Sequence, residues 1–171
     1  MKPFTLREAA LSDAEGIARV RVDTWRSAYK GIVSAETLDN LSVERDAARW
    51  RENLSSSRPV FVYVAVVENQ VVGFAIGGAE RNGDPDYAGE LYAIYILPQF
   101  QGQGIGQALM KAGRQWLIGH GFANMLIWVL KDNQAARAFY IAQGGRLARE
   151  KPVEIGSQTL SEVGYGFTLT S

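Results

Sequence analysis

The stretch Leu91-Tyr92-Ala93-Ile94-Tyr95-Ile96-Leu97-Pro98-Gln99-Phe100-Gln101-Gly102-Gln103-Gly104-Ile105-Gly106 decides the fold. Its first residues are apolar or aromatic, as a strand requires, and Pro98 ends that run. From Gly104 to Trp116 the apolar residues Ile105, Ala108, Leu109, Ala112 and Trp116 recur at helical spacing and form a packing stripe. The glycines between strand and helix let the backbone turn sharply and leave N–H groups uncovered at a helix N-terminus. The helix dipole favours anions there, so a phosphate-bearing ligand is the first candidate.

Spacing sorts the phosphate loops. A Walker loop needs Gly-Lys-Ser/Thr after its last glycine, whereas Gly106 is followed by Gln107 and Ala108. A dinucleotide fingerprint, G-x-G-x-x-G/A, puts Gln107 last when started at Gly102 and Leu109 last when started at Gly104. Its βαβ unit would also open a doubly wound sheet rather than follow a long hairpin. What fits is Gln-x-x-Gly-x-Gly, on Gln101, Gly104 and Gly106, with Gln103, Gly104, Ile105 and Gly106 offering consecutive N–H donors. Taken alone, the same run also suits a turn that merely needs positive φ.

Outward from this centre, residues 4–8 read as a strand, and Ser12 to Glu15 as a capping box opening a helix to about Lys30, which Gly31 breaks. A second helix is expected over Ala35–Leu54, its charged face (Glu44, Arg45, Asp46, Arg49, Arg51) solvated. Val60–Val67 and Val71–Gly78 flank Glu68-Asn69-Gln70 as a hairpin. After a polar loop, Glu90–Leu97 forms the next strand. Counting by two then puts Glu90, Tyr92, Ile94 and Ile96 on one face. Met125–Leu130 is continuously apolar, as in a strand buried on both faces. A helix capped by Asp132 or Asn133 runs to Gln143, and strands near 146–154 and 160–169 follow. The fold class expected is α/β, a mixed sheet of about seven strands with about four helices, in one domain over 1–171.

Composition narrows the chemistry. Lys plus Arg equals Asp plus Glu at 18 each, which supplies no basic field for nucleic acid or a membrane surface. With no cysteine and one histidine, thiolate metal sites, a Cys nucleophile and a His-cluster metal site are excluded or improbable, so no metal is expected. The N-terminal residues lack a signal-peptide apolar region, and no apolar run approaches the roughly 18 residues of a span, so the expected location is cytoplasmic.

Two segments together carry a family resemblance. The first is Leu91 through Gly106 and on to Leu109. The second is Leu126-Ile127-Trp128-Val129-Leu130-Lys131-Asp132-Asn133, then Ala135-Ala136-Arg137-Ala138-Phe139-Tyr140, then Gly144. In order and separation they resemble the acetyl-CoA-binding core of the GNAT superfamily of N-acetyltransferases. That resemblance implies a GNAT-like fold and transfer of an acetyl group from acetyl-CoA to a primary amine, small-molecule or peptide, by direct attack in a ternary complex. Homodimers are common in the family. The pyrophosphate of coenzyme A would lie on the amides of Gln101, Gly102, Gln103, Gly104, Ile105 and Gly106. Backbone groups of Ile94, Tyr95 and Ile96 would hold the pantetheine between splayed parallel strands, and an N–H near Tyr95 would polarise the acetyl carbonyl. Gln101 stands at a position often held by Arg or Gln in the family, and as Gln it brings hydrogen bonds without charge.

Individual residues keep two readings each. Asn133 caps its helix, bonds the pantetheine arm, or does both. Phe139 is core. Tyr140 is either a buried core phenol or, by the resemblance, the proton donor to the departing thiolate. Glu90 is a strand-end charge or the carboxylate that takes the amine proton, directly or through water. Trp25, Tyr29 and Tyr92, with Trp50, line an amine pocket or pack the core. Glu80, Asp84 and Asp86 attract a cationic amine or sit solvated, and His120 meets a helix C-terminus. A non-catalytic acyl-CoA-binding module and a transferase of a longer acyl group stay open, and the amine is not legible.

Overall fold

A computed structural model describes residues 2–170. Seven strands form one sheet in the order β1-β2-β3-β4-β5-β7-β6. They are β1 (Thr5–Glu8), β2 (Val60–Val67), β3 (Gln70–Ala79), β4 (Gly89–Ile96), β5 (Asn124–Leu130), β6 (Arg146–Ile155) and β7 (Gln158–Thr168). Five helices accompany them: α1 (Ala14–Ala28), α2 (Ala35–Asp39), α3 (Val43–Ser55), α4 (Ile105–Gly119) and α5 (Gln134–Ala142). Every strand pair is antiparallel except β4 with β5, which the α4 crossover makes parallel. The β2–β3 hairpin turns on Glu68 and Asn69, both at positive φ (48° and 64°), a turn whose twist matches that of the strands.

Three expectations are corrected. The box opening the first helix is not at Ser12. Leu11–Asp13 form a 3-10 turn, and Asp13 accepts the Ala10 amide at 2.7 Å while clamping Arg7 at 2.7 and 2.9 Å. Asp13 can serve both because it is buried at the junction of α1 and β1, whereas Ser12 is exposed. The single helix expected over 35–54 is two, so there are five helices rather than about four. Ser42 stops α2 from continuing into α3, because its hydroxyl accepts the Arg45 amide at 3.2 Å as an N-cap. Arg26 closes the end of α2 by donating to the carbonyls of Leu38 and Leu41 at 3.2 and 2.9 Å. Nor is Asp46 solvated: it is buried, and Arg21 of α1 donates to it at 2.6 Å.

The core fills the two faces of the sheet. α1 packs on β3 and β4 from one side, with α3 against α1, and α4 packs on β2, β3 and β4 from the other. The buried seam of α4 is Ile105, Leu109, Met110, Gly113 and Leu117, with Ala108, Ala112 and Trp116 at its edges. Gly113 admits Phe61, whose Cζ would lie 2.8 Å from any Cβ there.

Two stability outcomes are expected. Leu109 is fully buried in this seam; Leu109→Ala should cost about 2–5 kcal/mol, read as a lowered urea midpoint with an unchanged slope. The Arg7 guanidinium, aided by the Ala10 amide, holds the Asp13 carboxyl below its usual range against the opposing effect of burial. A depressed folded-state pKa gives stability that is present above the unfolded value, about pH 4, and is lost as pH falls through the folded one. Asp13→Asn should therefore be less stable than wild type at pH 7, with the difference shrinking from about pH 4 downward. Urea midpoints at pH 7 and pH 2.5 measure this.

Candidate active site

A bulge shapes the site. Leu91 pairs with Gly77 and Ala93 with Ile76, so Tyr92 is the extra residue of β4. The β4–β5 ladder covers Gly89–Leu91 against Met125–Ile127 and goes no further. Beyond it the two parallel strands part and leave a slot bordered by Tyr92–Ile96 and Trp128–Leu130. The bulge also overturns the expected count by two along β4. Tyr92, Ala93 and Tyr95 line a cavity on the α1/α3 face. Ile96 instead turns to α4, its Cδ1 3.2 Å from where a Cβ on Gly106 would stand, and Ile94 follows it by alternation.

The glycine loop lies beyond the end of β4. Pro98–Phe100 form a 3-10 turn, Gly102 and Gly104 take left-handed φ of 71° and 83°, and Ile105 begins α4. Nothing crowds Gly102 or Gly104, so their glycine requirement is conformational, whereas Gly106 is needed for space: Phe139 Cζ would sit 3.1 Å from its Cβ. Among the described residues the amides of Gly102 to Gln107 make no hydrogen bond, while the Gln101 amide is spent on the Pro98 carbonyl. The Gln101 and Gln103 side chains brace the loop, donating to the carbonyls of Ile96 at 2.9 Å and Gln99 at 3.1 Å. The result is an array of open N–H donors at a helix N-terminus, suited to a polyanionic group.

Across the slot stands α5. Asn133 is its N-cap, with Oδ1 accepting the Ala136 amide at 3.2 Å. Tyr140 is buried against Phe139 and Tyr165, ring centroids at 5.5 and 6.3 Å. Burial pushes its phenol well above the ordinary range, and neighbouring Tyr95 adds to the effect. Tyr29, at the end of α1, joins the group: burial raises its phenol, as do Tyr95 and Tyr140, while an Asn133 hydrogen bond pulls the other way. Three tyrosines and Asn133, from α1, β4 and α5, thus converge. The raised phenols of Tyr29 and Tyr140 keep their protons at neutral pH, the form in which an O–H can donate.

On the α1/α3 face a cavity of about 550 Å³ opens between these helices and β2–β4. Trp50, Phe74, Ile76, Tyr92 and Tyr95 wall it, and Arg21, Arg58, Arg81 and Glu80 bring charge to it. Of the anticipated pocket residues, Tyr92 lines this cavity, as does Trp50. Trp25 and Tyr29 do not; Trp25 stacks edge-on against Tyr29 at 4.8 Å in a separate cluster with Val33, Leu38 and Leu130. Glu90 is 1% exposed. Arg81 covers it, donating from Nη2 at 2.6 Å, Nε at 3.2 Å and its backbone amide at 3.1 Å, with the guanidinium 3.9 Å from the centre of the Tyr92 ring.

Other candidates have structural partners. His120 stacks on Trp116 at 3.6 Å and bonds its carbonyl at 2.8 Å. Asp84 and Asp86 are bound to Arg149 of β6, and Glu80 accepts the Asn82 and Asp84 amides. Sequence reasoning missed Arg21, Asn53, Arg58 and Arg81. None lies in a motif, and a surface arginine and a pocket arginine look alike until the chain folds.

Comparison with known proteins agrees with this geometry. The model of the Acetyltransferase (GNAT) family matches residues 21–144. The chain is 39% identical over 163 residues to the uncharacterized N-acetyltransferase YuaI of Bacillus subtilis (strain 168), covering 95% of this chain and 92% of that protein. Its fold resembles the GCN5-related N-acetyltransferase from Rhodopseudomonas palustris, with a TM-score of 0.77, 21% identity, and coverage of 99% of this chain and 98% of that one. It also resembles yncA of Salmonella typhimurium, a structure solved with acetyl-CoA, at a TM-score of 0.68, 21% identity, and coverage of 98% and 94%. With a matched family model, a relative aligned nearly end to end and a parted parallel strand pair beside an open amide loop, the chain is an acyltransferase that belongs to the GNAT acetyltransferase family.

Proposed function

We propose that this protein acetylates a primary amine with acetyl-CoA as co-substrate, by direct attack in a ternary complex. The observation that carries the reading is the slot between β4 and β5, with the open amides of Gly102–Gln107 at its mouth and Tyr140 in its wall. The residues fit the co-substrate: the amides of Gln103–Gly106 meet a pyrophosphate, the edge of Ile94–Ile96 that β5 leaves unpaired meets the amide groups of a pantetheine, and the Asn133 NH₂ stands beside it as a donor. Acetyl-CoA supplies an activated acyl group.

The protein's own groups then manage two protons. An amine entering through the cavity attacks the acyl carbon, forming a C–N bond as the C–S bond breaks. A backbone N–H near Tyr95 polarises the carbonyl in a water-poor site. Tyr140 donates its proton to the sulfur and recovers one from the proton the amine releases, relayed by water. Arg81 covers Glu90, so that carboxylate takes the entering ammonium's proton through water rather than by touching the amine. No cysteine is available for an acyl-enzyme, which favours direct transfer.

Tyr140→Phe should lower kcat roughly 10²-fold or more with little change in the KM for acetyl-CoA; unchanged turnover at saturating acetyl-CoA would remove Tyr140 from the proton path. Gly106→Val would press on Phe139 and Ile96 and shift the start of α4. Coenzyme A should then bind roughly tenfold or more weakly by calorimetry, and equal affinity would place the pyrophosphate elsewhere.

A further inference from the structure

The three arginines of the cavity are not equivalent. Arg21 is neutralised by Asp46 at 2.6 Å and lies 4.6 Å from the centre of the Trp25 ring. Arg81 is neutralised by Glu90 at 2.6 Å and lies on Tyr92. Arg58 makes no ion pair among the described residues; its one side-chain bond is from Nη2 to the Asn53 Oδ1, at 2.7 Å. Two carboxylates lie in the linings around it and neither pairs with it. Glu80, across the cavity, is turned to the loop amides of Asn82 and Asp84, and Glu8 lines a smaller hollow of about 170 Å³ that Arg58 shares. Asn53 is a neutral acceptor, so it orients the guanidinium without cancelling its charge and leaves the remaining N–H donors open.

From this geometry we infer that Arg58 is a specificity residue: the amine substrate carries a carboxylate at its far end, held by Arg58, with an apolar segment lying along Trp50, Phe74 and Ile76. The inference rests on the acetyltransferase reading and adds the substrate class. The distribution of chemistry within the cavity supports it. Arg58 stands where β2 enters the sheet, Tyr95 lies at the slot on β4, and the wall between them is mainly aromatic and aliphatic. An amine at the slot and an anion at Arg58 would set the charge opposite its counter-charge and the apolar segment against the apolar wall. A planar guanidinium with free donors matches a carboxylate in two-point fashion, which an uncharged carboxamide cannot reproduce.

The test is a panel of amines of graded length, aliphatic and arylalkyl, each prepared as the carboxylate and as the carboxamide with the acid group remote from the amine. Thiol release with acetyl-CoA is measured for wild type, Arg58→Gln, Arg58→Lys and Asn53→Ala. Expected for the best-fitting length is a carboxylate-to-carboxamide ratio in kcat/KM of roughly 10 or more. That ratio should collapse toward one in Arg58→Gln, persist in part in Arg58→Lys and fall partway in Asn53→Ala. The melting temperature and the KM for acetyl-CoA report whether each variant is intact, and Asn53→Ala carries the test should Arg58→Gln fail to fold. Thiol release without a carboxylate preference at any length, or a preference that survives Arg58→Gln, overturns this inference and leaves the transferase reading standing. No thiol release with any amine, carboxamides included, overturns the transferase reading and this inference with it.

Discussion

Everything at the site depends on two parallel strands that pair for three residues and then separate. A parallel ladder normally continues for the length of its strands, because unpaired backbone groups inside a sheet are costly. Here the extra residue at Tyr92 rotates the rest of β4 away from β5, and the exposed edges form a slot that a ligand rich in amide groups can pair. The glycine loop, α5 and the cavity are all positioned relative to that opening. Gly77 opposite the bulge has no room for a side chain: a Cβ would stand 2.5 Å from the Glu90 carbonyl and 2.6 Å from Phe61. The bulge and its neighbouring glycine belong together.

Charge is organised by a second constraint. The chain is neutral overall, yet its arginines are placed with care around the site. Arg7, Arg21, Arg81 and Arg149 each take a partner carboxylate, and each tie joins elements distant in sequence or pins a loop to the sheet. Arg149 holds the β3–β4 loop against β6 through Asp84 and Asp86. In each pair the carboxylate is largely buried and the arginine reaches it from nearer the surface, so desolvation offsets much of the attraction; what the pairs supply is position, as in the cover over Glu90 and the loop tied to β6. Within the cavity Arg58 stands apart because Arg21 and Arg81, the other two arginines of its lining, are both paired.

Much of the site was legible because its chemistry is local in sequence. Gln101, Gly104 and Gly106 sit within one loop, and their spacing alone separates this loop from the nucleotide-binding ones. Asn133 caps α5 as its position suggests, and Tyr140 follows two turns later on the buried side. Errors arose wherever a competing partner lay elsewhere in the chain. Ser12 has the residue type and spacing of a cap, but Asp13 is the residue that meets Arg7. Asp46 reads as part of a solvated face until Arg21 of another helix reaches it. The alternation of β4 fails at Tyr92 because the pairing of β3, not β4's own pattern, decides where the extra residue goes.

The sequence by itself determined the order of the strands, the βαβ crossover around the glycine loop, and the open amides at a helix start, since glycine conformation, apolar period and capping act over a few residues. Tertiary structure alone decided the bulge, the short parallel ladder, the burial of Glu90 beneath Arg81, the meeting of Tyr29, Tyr95 and Tyr140, and an Arg58 with no carboxylate partner among the described residues. The reason is physical. Backbone preferences are local, whereas desolvation and charge pairing depend on which distant groups arrive at the same place, and that is settled only when the sheet closes its register.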